Sequence, residues 1–119
     1  MIEMKIILDT SFILTCLKFK IDLFSEIRRV CDFNYEIFIV DKTIWELKKL
    51  KSKLSLDLIE RFKVKTIKTK EYLNVDNLIL KIADENTIVA TQDRELKKNL
   101  KEKYIKVLTI RQKKYFIII

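Results

Sequence analysis

The chain has 119 residues, 49% of them hydrophobic and 35% charged, which is typical of one folded domain rather than of a disordered segment. It contains neither glycine nor histidine, so glycine-rich phosphate loops, imidazole-bound zinc sites and histidine-dependent serine or cysteine catalysis are excluded. The net charge of +8 favours a polyanionic partner, of which nucleic acid is the commonest.

In the first third of the chain, strand-like and helix-like segments alternate. Continuous apolar runs at 4–8 and 37–40 predict two buried strands. Apolar residues at helical spacing predict helices at 11–19 and 22–31 between these strands.

The helix that follows the second strand is expected to begin with Thr43 as its cap and to carry Glu46 on its flank, beside the core. Its apolar stripe comprises Ile44, Leu47, Leu50 and Leu54.

The same alternation continues to the end of the chain. Helices are predicted at 55–62 and 94–103, and another begins with Asn74 as its N-cap and runs to about residue 85. The predicted strands lie at 64–67, 87–90, 105–110 and, at an edge, 115–119. Together these segments predict an α/β domain over residues 1–119, with a doubly wound, mainly parallel sheet between two layers of helices.

Four acidic residues come where a strand gives way to a helix or on the flank of a helix: Asp9, Glu46, Asp76 and Asp93. Taken singly, each has an ordinary explanation as a helix cap, a favourable charge at a helix N-terminus or a solvated side chain. Taken together, they are expected to meet at the carboxyl edge of the sheet, where carboxylates need a cation to share one site. Oxygen ligands suit Mg²⁺ or Mn²⁺, and such a site can hydrolyse phosphodiesters.

The sequence around these acids resembles that of the PIN-domain ribonucleases. The matching segments are Leu8-Asp9-Thr10-Ser11-Phe12, Trp45-Glu46-Leu47-Lys48-Lys49-Leu50, Asp76-Asn77-Leu78-Ile79 and Thr91-Gln92-Asp93-Arg94-Glu95-Leu96. Within that family, the chain looks most like short archaeal proteins related to the eukaryotic small-subunit rRNA-processing nuclease, and it is also similar to VapC-type toxins.

The resemblance implies a Mg²⁺- or Mn²⁺-dependent endoribonuclease that uses a metal-activated water and leaves a 5′-phosphate. By position, Asp9, Glu46, Asp76 and Asp93 would be both the catalytic residues and the metal ligands. The residues expected to support them are Ser11, Asn77 and Thr91. The chain departs from the family pattern at Ser11 and Gln92, where asparagine is usual, and at Asn77, where a second acid is common. We expect Asn77, which lacks the charge of that acid, to weaken metal binding.

Basic residues follow two of the proposed ligands closely, and this placement favours a rim that contacts RNA phosphates. The predicted RNA-binding residues are Lys48, Lys49, Arg94, Lys97 and Lys98. A solvated helix face is the ordinary alternative. Trp45 and Tyr72 could stack on an unpaired base, although packing is the stronger expectation for Trp45.

Several biological settings remain open. The resemblance favours rRNA processing on a pre-ribosomal particle; the alternatives are a toxin paired with an antitoxin and a non-catalytic RNA-binding assembly factor. A phospho-acceptor receiver domain fits poorly, because Asp9-Thr10 is not a pair of adjacent acids. The apolar C-terminal segment favours a homodimer.

No charged leader with an apolar core begins the chain, and its apolar runs are short, so we expect a cytoplasmic protein that does not contact a membrane. Cys16 and Cys31 lack CxxC spacing and are expected to be reduced, buried thiols. A disulfide between them stays open, because the cytosol of a thermophile would permit one.

Overall fold

The computed structural model describes residues 3–70 and 72–119 of the chain. Six strands and six helices lie within these ranges. In chain order they are β1 (Met4–Leu8), α1 (Thr10–Lys18), α2 (Leu23–Val30), β2 (Tyr35–Val40), α3 (Asp41–Lys49), α4 (Lys53–Arg61), β3 (Lys65–Ile67), α5 (Val75–Ile82), β4 (Thr87–Ala90), α6 (Arg94–Glu102), β5 (Lys106–Arg111) and β6 (Tyr115–Ile118). No helix within these ranges is long and apolar enough to cross a membrane.

The strands form one sheet in the order β3-β2-β1-β4-β5-β6. The first five are parallel, and β6 is antiparallel to β5 at one edge. The central strand β1 pairs through Ile6 with Ile37 on one side and with Ile88 on the other. The predicted doubly wound, mainly parallel sheet is therefore confirmed, and the sixth strand lies at an edge as expected.

Alternating residues of the central strands supply two separate hydrophobic cores. Ile6 and Leu8 of β1 pack against the layer formed by α1 to α4, whereas Ile7 packs against α5 and α6. Because both faces are covered, the strands are apolar at consecutive positions rather than at every second one. Burial of each such side chain contributes about 1.5–3 kcal/mol.

The structure corrects the predicted helix around Glu46. α3 begins at Asp41, with Val40 at its N-cap, so Thr43 is not the cap. Thr43 is instead fully buried inside the helix, and its hydroxyl accepts a hydrogen bond from Thr10 Oγ1 at 3.3 Å. Leu50 and Leu54 are not part of a buried stripe, because α3 ends at Lys49 and both leucines are exposed.

The cap predicted for α5 is confirmed, but the helix is shorter than expected. The Asn74 side chain accepts a hydrogen bond from the backbone N–H of Asn77 at 2.9 Å. α5 ends at Ile82 because Ala83 is extended and Asp84 turns the chain. The Asp84 carboxylate accepts hydrogen bonds from the Asn86 N–H and the Thr87 hydroxyl, and β4 begins there.

Both cysteines are buried free thiols. Burial raises the pKa of Cys16 to about 12 and that of Cys31 to about 11, so neither forms an appreciable fraction of thiolate at neutral pH. This agrees with the expectation of reduced, buried thiols.

Four helices end in a turn that requires a left-handed residue, and the chain has no glycine to supply it. Positive φ angles of 52–60° occur at Lys20, Lys51, Lys63 and Tyr104, directly after α1, α3, α4 and α6. After α4, for example, the Lys63 N–H donates to the Glu60 carbonyl at 3.2 Å and the Val64 N–H donates to the Ile59 carbonyl at 3.0 Å. A side chain at such a position costs about 1 kcal/mol in steric strain.

Replacing Lys63 with glycine is expected to raise the free energy of unfolding by about 0.5–1 kcal/mol, because glycine removes the clash of the β-carbon at this backbone conformation. Urea unfolding measures the change. The same replacement at Lys98, inside α6, is the control and should lower the free energy by about 1 kcal/mol. Equal effects at the two positions would contradict the strain argument.

Candidate functional site

A cavity of about 320 Å³ opens at the carboxyl ends of β1 and β4, where the chain leaves these neighbouring strands for opposite faces of the sheet. Crevices at such switch points are the usual ligand sites of open α/β sheets. The cavity is lined by Asp9, Thr10, Ser11, Leu14, Glu46, Leu50, Asn74, Val75, Asp76 and Asp93. The structure thus brings the four predicted acids to one cavity, although they lie as far as 84 residues apart in sequence.

Asp9 is the most deeply placed of the four acids. It directly follows β1, and only 3% of its surface is exposed. Its side chain does not cap α1. Instead, Oδ2 accepts hydrogen bonds from Ser11 Oγ at 2.7 Å and from Thr91 Oγ1 at 2.8 Å. Two hydroxyls therefore fix the orientation of this carboxylate.

Thr91 also connects Asp9 to Asp93. Its hydroxyl oxygen accepts a hydrogen bond from the Asp93 N–H at 3.1 Å while it donates to Asp9. Asp93 caps α6, with Oδ1 accepting from the Leu96 N–H at 2.8 Å. The ordinary reading of Asp93 as a helix cap is therefore correct, and the same residue also lines the cavity.

Glu46 and Asp76 lie across the cavity on α3 and on the first turn of α5. Burial raises the pKa of Asp76 to about 6, and repulsion from Asp9, Asp93 and Glu46 contributes to the rise. Burial, followed by repulsion from Asp9, also raises the pKa of Glu46, although a hydrogen bond with Thr10 opposes the rise. Asp76 and Glu46 are thus close enough to the other carboxylates for repulsion to raise their pKa.

Cations of the described residues act on this cluster from its surroundings, but none forms an ion pair with it. None of the ion pairs within 3–70 and 72–119 includes one of the four carboxylates. Lys42 lowers the pKa of Glu46 by its charge, but its Nζ donates to the Leu73 carbonyl at 2.8 Å. The repulsion between the carboxylates is therefore left for an external cation or a proton to relieve.

The donors suit a hard divalent ion such as Mg²⁺ or Mn²⁺, because they are carboxylate oxygens that form no ion pair with a described side chain. As the side chains are placed, however, no three acidic or thiol groups among the described residues stand close enough to hold one ion together. The four carboxylates are thus suitable ligands for a divalent ion by their chemistry. To bind one ion together, the carboxylates on opposite sides of the cavity would have to move closer.

Comparison with known proteins agrees with this architecture. A family model described as a PIN like domain matches residues 6–113. The chain belongs to the PIN-domain family. It is 40% identical to Ribonuclease VapC4 of Methanocaldococcus jannaschii, and the alignment covers 94% of each protein. It is also similar to the solved structure of the PIN domain endonuclease Utp24, with a TM-score of 0.84 and 25% identity over 96% of this chain and 90% of that one.

The resemblance to the PIN family is thus confirmed. The three residues that depart from the family's motifs, Ser11, Gln92 and Asn77, lie at different distances from the acidic cavity. Ser11 contacts Asp9 directly. Gln92 faces β5, where its Oε1 accepts from Thr109 Oγ1 at 2.6 Å and from the Ile110 N–H at 2.7 Å. Asn77 does not line the acidic cavity itself; it is exposed and lines an adjoining pocket together with Asp76, Glu95 and Asn99.

Of the predicted basic residues of this PIN domain, Arg94 and Lys97 lie beside Asp93. Burial lowers the pKa of Lys97, and the positive charges of Arg94 and Arg111 add to the effect. These three cations are therefore grouped beside Asp93, and Arg111 was not foreseen because it comes from the far end of β5. The other predicted positions, Lys48, Lys49 and Lys98, are exposed. Their contact with RNA stays a prediction.

Two other residues of the site had no clear signal in the sequence. Thr10 hydrogen-bonds to Thr43 and restrains Glu46, while Asn74 both caps α5 and lines the cavity. From the sequence, Asn74 is predicted only as a helix cap. The signal for Thr10 is its hydroxyl directly after the motif aspartate Asp9.

Proposed function

We propose that this protein is a Mg²⁺- or Mn²⁺-dependent endoribonuclease that hydrolyses RNA phosphodiesters at the four-acid cavity. One observation supports the proposal above all: Asp9, Glu46, Asp76 and Asp93 line one cavity of a PIN domain. Among the described residues, no lysine or arginine forms an ion pair with any of these four carboxylates. The names of the two similar proteins, a ribonuclease and an endonuclease, support the same chemistry.

The four acids are proposed to hold the metal, and each part of the site has a distinct task. When bound, the divalent ion would supply positive charge for the phosphate and lower the pKa of water. Ser11 and Thr91 keep the Asp9 carboxylate pointed into the cavity. Thr91 additionally ties the backbone of Asp93 to Asp9, so the two acids at the strand ends keep a fixed spacing.

The substrate is proposed to be RNA held mainly by its phosphates. Arg94, Lys97 and Arg111 form a basic group beside Asp93, and Lys49 lies on the helix that carries Glu46. Cations on both sides of an acidic cavity can hold the backbone of a strand that passes across it. Such contacts position the substrate without reading its sequence.

Removal of divalent ions is expected to abolish cleavage of a labelled single-stranded RNA, because the carboxylates alone would repel the phosphate. Mg²⁺ or Mn²⁺ should restore cleavage with a 5′-phosphate on the product, whereas spermidine, which only screens charge, should not. Mn²⁺ should also raise the unfolding temperature of the protein, because the ion binds the folded state. Undiminished cleavage in excess chelator would refute the proposal.

Two biological settings remain for this activity. The 40% identity with Ribonuclease VapC4 over nearly the whole of both proteins favours the VapC-type toxin, with an antitoxin as partner. The sequence resemblance to rRNA-processing nucleases keeps processing of rRNA on a pre-ribosomal particle as the second setting, and the structural match with the PIN domain endonuclease Utp24 supports endonuclease activity in either one. Growth arrest on expression, relieved by the product of a neighbouring gene, would identify a toxin, and accumulation of rRNA precursors on deletion would identify a processing enzyme.

A further inference from the structure

Trp45 is exposed on α3, the helix that carries Glu46, contrary to the expectation that it packs in the core. More than half of its surface, 56%, is accessible, although it precedes Glu46 on α3. The buried side of α3 is formed by Thr43 and Leu47. Leu50 and Leu54, which follow it in the chain, are also exposed, and several large apolar side chains exposed in one segment indicate a contact surface.

A lysine lies over the same ring. Lys49 follows Trp45 by one helical turn, and its Nζ lies 5.1 Å from the centre of the indole ring. Glu46 is one residue along and lines the acidic cavity, as does Leu50, which is also exposed. α3 therefore presents an aromatic ring, a cation, a proposed ligand and apolar surface on adjoining positions.

We propose that Trp45 and Lys49 form a platform for single-stranded RNA, on which an unpaired base stacks next to the cleaved phosphate. The inference rests on the proposed function and narrows its substrate to RNA with at least one unpaired base at the site. Stacking needs a free base face, which a nucleotide inside a duplex does not offer. Lys49 then contacts the phosphate of the stacked nucleotide.

The charged residues around Trp45 indicate which kind of molecule binds this surface. Lys48, Lys49, Lys51 and Lys53 follow it within eight residues and are all exposed, whereas Glu46 turns towards the cavity. A second copy of this surface would bring lysines against lysines, which is unfavourable. An anionic chain with flat apolar groups complements both the charge and the ring, and single-stranded RNA has both properties.

Intrinsic fluorescence reports directly on this platform, because Trp45 is the chain's single tryptophan. A 12-nucleotide RNA without secondary structure should quench its emission when titrated in chelator, where the proposed cleavage cannot proceed. The same RNA paired with its complement should quench far less. Trp45→Leu should weaken binding of the single strand about 5- to 100-fold, the equivalent of one lost stacking contact, and Trp45→Tyr should restore most of it.

Tyr104→Leu is the matched control. Tyr104 is 94% exposed, but it lies between α6 and the start of β5, at the opposite edge of the sheet from the cavity. Its loss should leave RNA binding within about twofold of wild type. A comparable loss in both variants would overturn the assignment to Trp45.

The remaining outcomes separate this inference from the proposed function. Equal binding by wild type and Trp45→Leu, together with Mg²⁺-dependent cleavage by wild type, would overturn the platform and leave the nuclease standing. Quenching by the single strand without cleavage in Mg²⁺ or Mn²⁺ would support the platform and refute the nuclease. Equal quenching by duplex and single strand would overturn stacking and indicate binding by charge alone. A change of oligomeric state in Trp45→Leu would overturn it as well and indicate that Trp45 lies in a protein interface.

Discussion

Asp9→Asn is expected to lower RNA cleavage at least about 100-fold without unfolding the protein. Asparagine has nearly the same volume and keeps an oxygen that can accept the hydrogen bonds from Ser11 and Thr91. It removes the negative charge from the most buried of the four proposed ligands. A ligand of a catalytic metal contributes several kcal/mol to transition-state stabilisation, and each 1.4 kcal/mol corresponds to about tenfold in rate.

The appropriate control is Asp57→Asn, which makes the same chemical change at an exposed residue of α4 outside the cavity. Both variants should keep the circular dichroism spectrum and cooperative unfolding of wild type, and Asp57→Asn should keep its activity. Full activity of Asp9→Asn in the presence of Mg²⁺ would refute the role assigned to that carboxylate.

Asp76→Asn is expected to make the metal-free protein more stable than wild type at neutral pH. Burial and repulsion raise the pKa of Asp76 to about 6, so ionisation of this group above that pH opposes folding. A rise of about two units corresponds to at most about 3 kcal/mol, and solvent screening at this partly exposed site reduces the gain to about 1 kcal/mol. Loss of a favourable charge at the start of α5 offsets a further part of it.

The pH dependence follows from the direction of the shift. Between the ordinary aspartate pKa of 3.8 and about 6, the folded protein binds the proton that the unfolded chain releases, so wild type loses stability as the pH rises through this interval. The advantage of Asp76→Asn should therefore be absent near pH 4 and complete above pH 7. Urea unfolding in chelator measures it. Saturating Mn²⁺ should reverse the order of the two proteins, and a difference independent of pH would contradict the explanation.

Much of the fold followed from local sequence, because the central strands are short apolar runs that only a sheet covered on both faces can bury. Ile88, Val89 and Ala90 fall in β4 as expected, and their two faces lie in different cores. The meeting of Asp9 and Asp93 could also be predicted, since the carboxyl ends of parallel strands lie on one edge.

The sequence could not predict where α3 ends, or which side chains from separate segments lie next to each other in the folded protein. The stripe that placed Leu50 and Leu54 in the core assumed one continuous helix, whereas Lys51 turns the chain between α3 and α4. Asn77 follows a cavity residue but lines only the adjoining pocket, which Asp76 shares. Arg111 joins the basic group because β5 pairs in parallel with β4 and ends at the same edge of the sheet, and helical or strand periodicity does not reveal which strands are neighbours.

The side chains that occupy the left-handed turns after α1, α3, α4 and α6 also act on the denatured ensemble. Glycine at these positions would relieve strain in the native state but would give the unfolded backbone more freedom to lose on folding. That entropic cost grows with temperature, whereas the steric cost of a β-carbon does not. The absence of glycine therefore lowers stability at low temperature and raises it at high temperature, relative to a chain with glycine at these turns. The stabilisation gained by placing glycine after α4 should accordingly decrease as the temperature rises.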